Sequence, residues 1–231
     1  MNAEPVVQPD TWVAVDALGR QLPTSEEVGP PREGKFTGIF YWTWLAHHTN
    51  SGPWDVSRIL EKHPEAINDA EHPAWGPEGH FHHWGEPLLG YYTSKDAWVF
   101  RRHAEMLEDA GIDAIFFDAT NQFPYLEETN ILLDAFADYA ADGGNPPGIV
   151  FLTPFHDPTR VVPAVYEAIY KPGVHSGHWF RWKGKPLILA DPAMIDDPEI
   201  LEFFTFRKPM PGYFSGPTGP NQWGWLEIHP Q

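Results

Sequence analysis

The chain has 231 residues, 42% of them hydrophobic, enough for one sizeable core and too apolar for wholesale disorder. Its 32 acidic against 15 basic residues give a formal charge of −17, which repels nucleic-acid phosphates and anionic membranes. Cysteine is absent, which removes disulfides, thiolate metal sites and a cysteine nucleophile, and the adjacent basic pairs Arg101-Arg102 and Arg207-Lys208 read as solvated faces or turns, not as a basic patch.

Residues 1–34 are rich in Pro, Glu and Gln with little periodicity and read as an extended arm, closed by Pro30-Pro31; residues 35–231 make the domain. No basic start leads into an apolar run, and no window approaches the roughly 18 apolar residues that cross a bilayer, so the sequence predicts a soluble cytoplasmic protein without a membrane partner. Residues 36–44 are β-branched and aromatic, a first buried strand that exits into His47-His48. A short helix over 55–62 follows. The stretch 64–87 is punctuated by prolines, glycines and histidines and reads as an irregular loop, long enough to carry function. Ser94 precedes a helix over 95–110 that Gly111 stops, and strand 112–117 runs straight into Asp118. The pattern repeats as helix 126–141 and strand 148–153, helix 158–170 starting near Asp157, strand 185–191, and a fifth strand at 203–206. Such regular alternation requires a parallel sheet. The predicted fold class is α/β, a parallel (β/α) TIM-barrel-like fold of about four to five βα units. A full barrel takes about 250 residues, and 212–231 holds no closing helix, so the domain is expected to be truncated at its C-terminus. Open parallel edges of that kind favour self-association.

Three acids follow predicted strands and converge on one rim: Asp118, Asp157 and Asp191. In barrel enzymes that C-terminal rim carries the chemistry, and glycoside hydrolysis needs two carboxyls there. Asp118 reads either as a catalytic or sugar-binding acid or as a cap or loop brace; Asp157 and Asp191 each precede a proline and read as capping residues. Aromatic residues reach 15%, with 11 Trp, which supplies either platforms for the apolar faces of sugars or core packing. The loop His80-Phe81-His82-His83-Trp84-Gly85-Glu86 has the density of a metal site but matches no compact zinc template; hydrogen bonding to sugar hydroxyls with Trp84 as platform, and plain loop architecture, are the other readings. Trp223-Gly224-Trp225 either stacks on sugar or plugs the barrel floor. A phosphate-cradling glycine loop is missing, so nucleotide binding has no support and no cofactor is expected, and the missing Gly-x-Ser-x-Gly elbow argues against an α/β serine hydrolase; no residue is assigned as a metal ligand.

Four stretches together resemble the bacterial barrel glycosidases related to glycoside hydrolase families 71 and 99, the latter including endo-α-mannosidases. They are the aromatic first strand at 38–44, Gly-Tyr-Tyr-x-Ser-x-Asp-x-Trp-Val at 90–99, Ala-Gly-Ile-Asp and its strand at 110–118, and Gly184-Lys185-Pro186-Leu187. The resemblance runs over roughly 34–227 and corresponds to the N-terminal half of such a barrel. It implies an oligosaccharide or polysaccharide ligand and a substrate-facing rim of Tyr41, Trp42, Trp44, His47, Asp118 and Asn121. The decisive carboxylates of that family lie in a later Trp-Asn-Glu-Trp-like motif. No Asn-Glu-Trp occurs here, and Glu227 in Trp225-Leu226-Glu227 does not supply it. The expectation is therefore a carbohydrate-active protein in which Asp118 orients or activates the sugar, His47 and Asn121 add hydrogen bonds, and Trp42, Trp44 and Trp84 offer stacking faces. At least one catalytic carboxyl comes from outside the sequence. A glycan-binding fragment without turnover, and a metal-dependent hydrolase built on loop 80–86, are the alternatives.

Overall fold

In the computed structural model, which describes residues 13–30, 32–45, 52–213 and 219–226, the apolar runs line up as one parallel sheet. Ahead of it, residues 13–30 bury no side chain and hold an antiparallel bridge between Val15 and Gln21 and the helix α1 (Ser25–Val28), whose Thr24 and Glu27 form a capping box. The first sheet strand, β1 (Gly38–Tyr41), is shorter than the predicted run. A small parallel pair, β2 (Trp54–Asp55) and β3 (His82–His83), brackets helix α2 (Val56–Lys62), whose N-cap is Asp55.

Helix and strand pairs then build the body. Helix α3 (Ala97–Asp109) starts at Asp96, whose side chain accepts from the Trp98 and Val99 amides, and not at Ser94. Ser94 instead exchanges two hydrogen bonds with the Leu45 backbone, tying this loop to the exit of β1. Strand β4 (Ala114–Asp118), helix α4 (Leu126–Ala141) and strand β5 (Gly148–Leu152) lie where the sequence puts them. The third predicted helix breaks in two: α5 (Val161–Val165), which contains Pro163, passes into a π turn over Tyr166–Tyr170. Strand β6 (Arg181–Trp182) folds back antiparallel on β7 (Lys185–Leu189), and helix α6 (Pro198–Phe203) leads to β8 (Thr205–Tyr213). The sequence reading missed β9 (Gln222–Leu226), which pairs parallel with β8 across an irregularity between Met210 and Tyr213. It follows β8 after residues 214–221 alone, where a parallel crossover ordinarily takes a dozen or more residues.

The parallel order is β1-β4-β5-β7-β8-β9. Successive strand residues face opposite sides, and this separates two apolar layers. Ile115, Phe117, Ile149, Phe151 and Ile188 pack outward against Phe100, Leu132, Phe136, Val165 and Ile169 of the helices. At roughly 1.5–3 kcal/mol for each large side chain fully buried, this layer carries most of the stability. Ala114, Val150, Leu152, Leu187 and Leu189 face inward, with Phe36, Phe40, Phe116, Phe180, Trp182 and Trp223. The sheet is curled: Phe36, just before β1, packs 5.9 Å from Trp223 of β9, so the two end strands meet across the interior. The result is an incomplete TIM-barrel-like α/β fold, open between β1 and β9. Two glycines make the curl possible. A Cβ on Gly38 would lie 2.2 Å from the Phe116 ring, and one on Gly148 would lie 2.9 Å from the backbone of Phe180.

Candidate functional site

At the C-terminal end of β1 the chain leaves the sheet through Trp42, Thr43 and Trp44. Thr43 is buried, which turns the two indoles to the same side, where they stack 4.9 Å apart at 22°. On the neighbouring strand Asp118 ends β4 on the inward face, in step with Ala114 and Phe116. The Trp44 Nε1 donates to Asp118 Oδ2 at 3.1 Å, while the Thr120 amide and hydroxyl donate to Oδ1 at 3.1 and 2.7 Å. One oxygen is thus used in a local Asp-x-Thr turn, and the other is held toward the indoles. Around them opens a cleft of about 440 Å³ lined by Phe40, Trp42, Trp44, Asp118, Thr120, Phe155 and Pro211. Aromatic walls with one fixed carboxylate and one hydroxyl suit a ligand that has apolar faces and hydroxyl edges.

The predicted rim residues are distributed differently. Trp42, Trp44 and Asp118 line the cleft. Tyr41 does not: period-2 alternation turns it to the helix side, where its hydroxyl lies 2.8 Å from His103 Nδ1 and its ring packs against Phe100 and Phe117. There it borders a neighbouring cavity of about 310 Å³ with His83, Tyr92 and His103, which shares Phe40 and Trp42 with the cleft. Burial, reinforced by the neighbouring Tyr92, raises the Tyr41 pKa, and burial lowers that of His103. Asn121 turns into its own loop, donating from Nδ2 to the Tyr125 hydroxyl at 2.6 Å and accepting from the Phe123 amide at 3.2 Å. Trp84 is 81% exposed and lines neither the cleft nor the cavity beside Tyr41. His47 lies outside the described residues.

The other two strand-end acids serve local structure. Asp157 accepts from the Thr159 amide and hydroxyl, and Asp191 caps the short helix at Pro192–Met194. Lys208 pairs with Asp191 at 2.6 Å and, as the main cause, holds its carboxyl below the usual range. Among the described residues, Asp118 is therefore the single carboxylate lining the cleft.

In loop 80–86 the candidate ligands His82, His83 and Glu86 are engaged within the protein. Both ring nitrogens of His82 face carbonyl oxygens, of His80 at 2.8 Å and Trp75 at 2.7 Å, so both are enclosed by the backbone of their own loop. His83 is buried between Phe81 and Tyr91, and Glu86 pairs with Arg58. Among the described residues, two imidazoles and a carboxylate do converge at His63, Glu65 and His72. There His72 Nδ1 accepts from the Ala74 amide, which places its proton on Nε2, facing Glu65. This is a hydrogen-bonded surface triad with the wrong tautomer for a metal ligand.

Three residues went unrecognised in the sequence. Thr120 was legible from the Asp-x-Thr spacing, which recurs at Asp157. Phe155 carried no signal, because it reaches the cleft from the loop after β5. Arg207, read as part of a solvated basic pair, is only 6% exposed; its alternation in β8 turns it inward, beside Trp223, while Lys208 turns to Asp191. Trp223 itself packs in the interior, 6.5 Å from Phe116 and 6.4 Å from Trp182.

No protein-family profile matches the chain, and no curated protein sequence matches it. Among the solved structures similar to it are two of a GH99 endo-alpha-mannosidase from Bacteroides thetaiotaomicron. The one in complex with BIS-TRIS-propane aligns at 19% identity over 66% of this chain and 40% of that chain, with a TM-score of 0.38. The other aligns at 18% identity over 68% of this chain and 46% of that chain, with a TM-score of 0.37. The chain spans less than half the length of either solved structure.

Proposed function

We propose that this chain binds an oligosaccharide or polysaccharide in the cleft between β1 and β4, as part of a glycoside hydrolase-like protein. The observation that supports this reading is the stacked Trp42–Trp44 pair beside a carboxylate fixed by three donors. The indoles offer a flat face for the ring C–H groups of a sugar, and Asp118 accepts from its hydroxyls or steers the reacting sugar. Hydrolysis by either stereochemical route takes two carboxyls about 5–9.5 Å apart. With Asp118 alone in the cleft, turnover needs a second carboxyl from beyond the described residues. The narrower affiliation with families 71 and 99, the arm at 1–34 and self-association along the open edges at β1 and β9 belong to the same proposal.

The test is a binding and turnover screen of the whole chain on α-mannan, α-glucan and arabinan oligosaccharides, followed by tryptophan fluorescence and product analysis. Trp42→Ala is expected to weaken binding about tenfold, the equivalent of about 1.4 kcal/mol, and Asp118→Asn to abolish any turnover while leaving the stack intact. Binding unchanged in Trp42→Ala would refute the cleft as the sugar site.

A further inference from the structure

The row of residues that runs inward from Asp118 crosses four strands in register. Asp118 of β4 pairs with Leu152 of β5, Leu152 with Leu189 of β7, and Leu189 with Arg207 of β8. Paired residues on adjacent parallel strands point to the same face. All four therefore belong to one inward layer, with a carboxylate at one end, a guanidinium at the other and two buried leucines between them. Three strand spacings of about 4.8 Å put the ends on the order of 14 Å apart along the sheet, and the curl brings them closer.

Arg207 is unusual in what surrounds it. It is 94% buried, its Nη1 donates to the Phe206 carbonyl at 2.8 Å, and its Cζ lies 5.8 Å over the Trp223 ring. Among the described residues no carboxylate pairs with it, although the chain carries 32 acids. The neighbouring Lys208 takes Asp191 instead. A guanidinium has five donors and stays charged, and burying it without an anion is costly. The cation–π contact with Trp223 offsets part of that cost but leaves most of its donors unmatched.

Its neighbours border a cavity. Leu189, the register partner of Arg207, Pro209, the next residue on its face, and Trp223, the ring it lies against, line an interior space of about 260 Å³. That space shares Phe40 and Phe155 with the Asp118 cleft, so the two are adjoining compartments of one groove. Their combined size falls in the range of about 300–1,000 Å³ typical of small-ligand sites. The groove thus has a hydrogen-bond acceptor at one end and apolar and aromatic walls, and Arg207, itself lining neither compartment, is buried next to the Leu189, Pro209 and Trp223 part of its wall.

We propose that Arg207 is an anion anchor, and that the ligand is an acidic glycan whose carboxylate, of the uronic acid type, reaches the inner compartment beside Trp223. This rests on the carbohydrate reading of the cleft and narrows its substrate class. Arg suits the task because its planar fork matches a carboxylate with two parallel hydrogen bonds, which Lys does not. The charge of −17 does not oppose this locally, because the groove between Asp118 and Arg207 is lined by uncharged side chains.

The experiment is calorimetric titration of the whole chain with uronate-containing oligosaccharides, each against its methyl-esterified counterpart, plus neutral oligosaccharides of the same ring types. At least one acid form is expected to bind ten or more times more tightly than its ester. That ratio should fall toward one in Arg207→Gln, be partly kept in Arg207→Lys, and persist in Trp42→Ala even as both forms weaken. Esters and neutral sugars binding as tightly as the acids would overturn the anchor and leave the carbohydrate reading standing. Binding of none of them would overturn both. An acid preference kept in folded Arg207→Gln would overturn the assignment to this residue. If Arg207→Gln melts below the assay temperature, the Arg207→Lys ratio decides, and a value equal to wild type overturns the fork.

Discussion

Replacing Tyr41 by Phe takes one oxygen from the seam between β1 and α3 and nothing from the Asp118 cleft. The phenol lies 2.8 Å from His103 Nδ1, inside a shell that includes Phe100 and Phe117. Burial keeps both partners neutral near pH 7, raising the phenol and lowering the imidazole, so the bond joins a neutral donor to a neutral acceptor. A bond of this type contributes about 0.5–1.5 kcal/mol net, and leaving the imidazole nitrogen unpaired costs about 1–3 kcal/mol. The expected destabilisation is therefore about 1–3 kcal/mol. At about 2–4 °C per kcal/mol for a domain of this size, the melting temperature should fall by about 2–12 °C. The assay is thermal melting followed by circular dichroism near neutral pH. A double-mutant cycle with His103→Leu should give a coupling of about 1 kcal/mol. Oligosaccharide affinity should stay within about twofold of wild type, since such a change is well under 1 kcal/mol. A variant that melts with the wild type yet loses sugar binding would refute the reasoning, because it would place the phenol at the ligand.

Two further perturbations probe the frame. Gly148→Ala puts a methyl 2.9 Å from the Phe180 backbone, where no rotamer relieves the clash, so β5 and the strand leading to β6 must separate. A loss of about 1–3 kcal/mol in denaturant melts is expected, and an unchanged midpoint would show that the curl tolerates it. Acid stability follows from His83, His103 and His178, whose pKa values are all lowered, chiefly by burial. The unfolded chain takes up their protons first, so their contribution is complete above about pH 6.5 and is lost as the pH falls below that value. Melting temperature should be level from about pH 8 to 6.5 and decline below, less steeply in His103→Leu; a level profile down to about pH 5 would contradict the assignment.

Local chemistry explains which features were legible in the sequence. The glycine stop before Ile112, the apolar runs of β4, β5 and β7 and the periodicity of α4 each depend on near neighbours in the chain, and each lies close to its predicted place. The proline-preceding acids Asp157 and Asp191 likewise cap or brace turns that their own residues define. Alternation along a strand was legible too, but its phase was not. Whether Tyr41 or Trp42 faces the groove depends on which side of β1 meets α3, and the helix settles it through His103.

The sequence by itself determined an α/β chain with a parallel sheet, an acid at the end of β4 and indoles beyond β1, because those signals are written in residue type and short spacing. Only the tertiary structure decided that Trp44 reaches Asp118, that β9 returns to lay Trp223 beside Phe36, and that Arg207 is buried in the same inward row as Asp118. The physical reason is register and curl. Residues as far apart in the chain as Tyr41 and Phe117 become neighbours through hydrogen bonding across strands whose alignment no single segment contains.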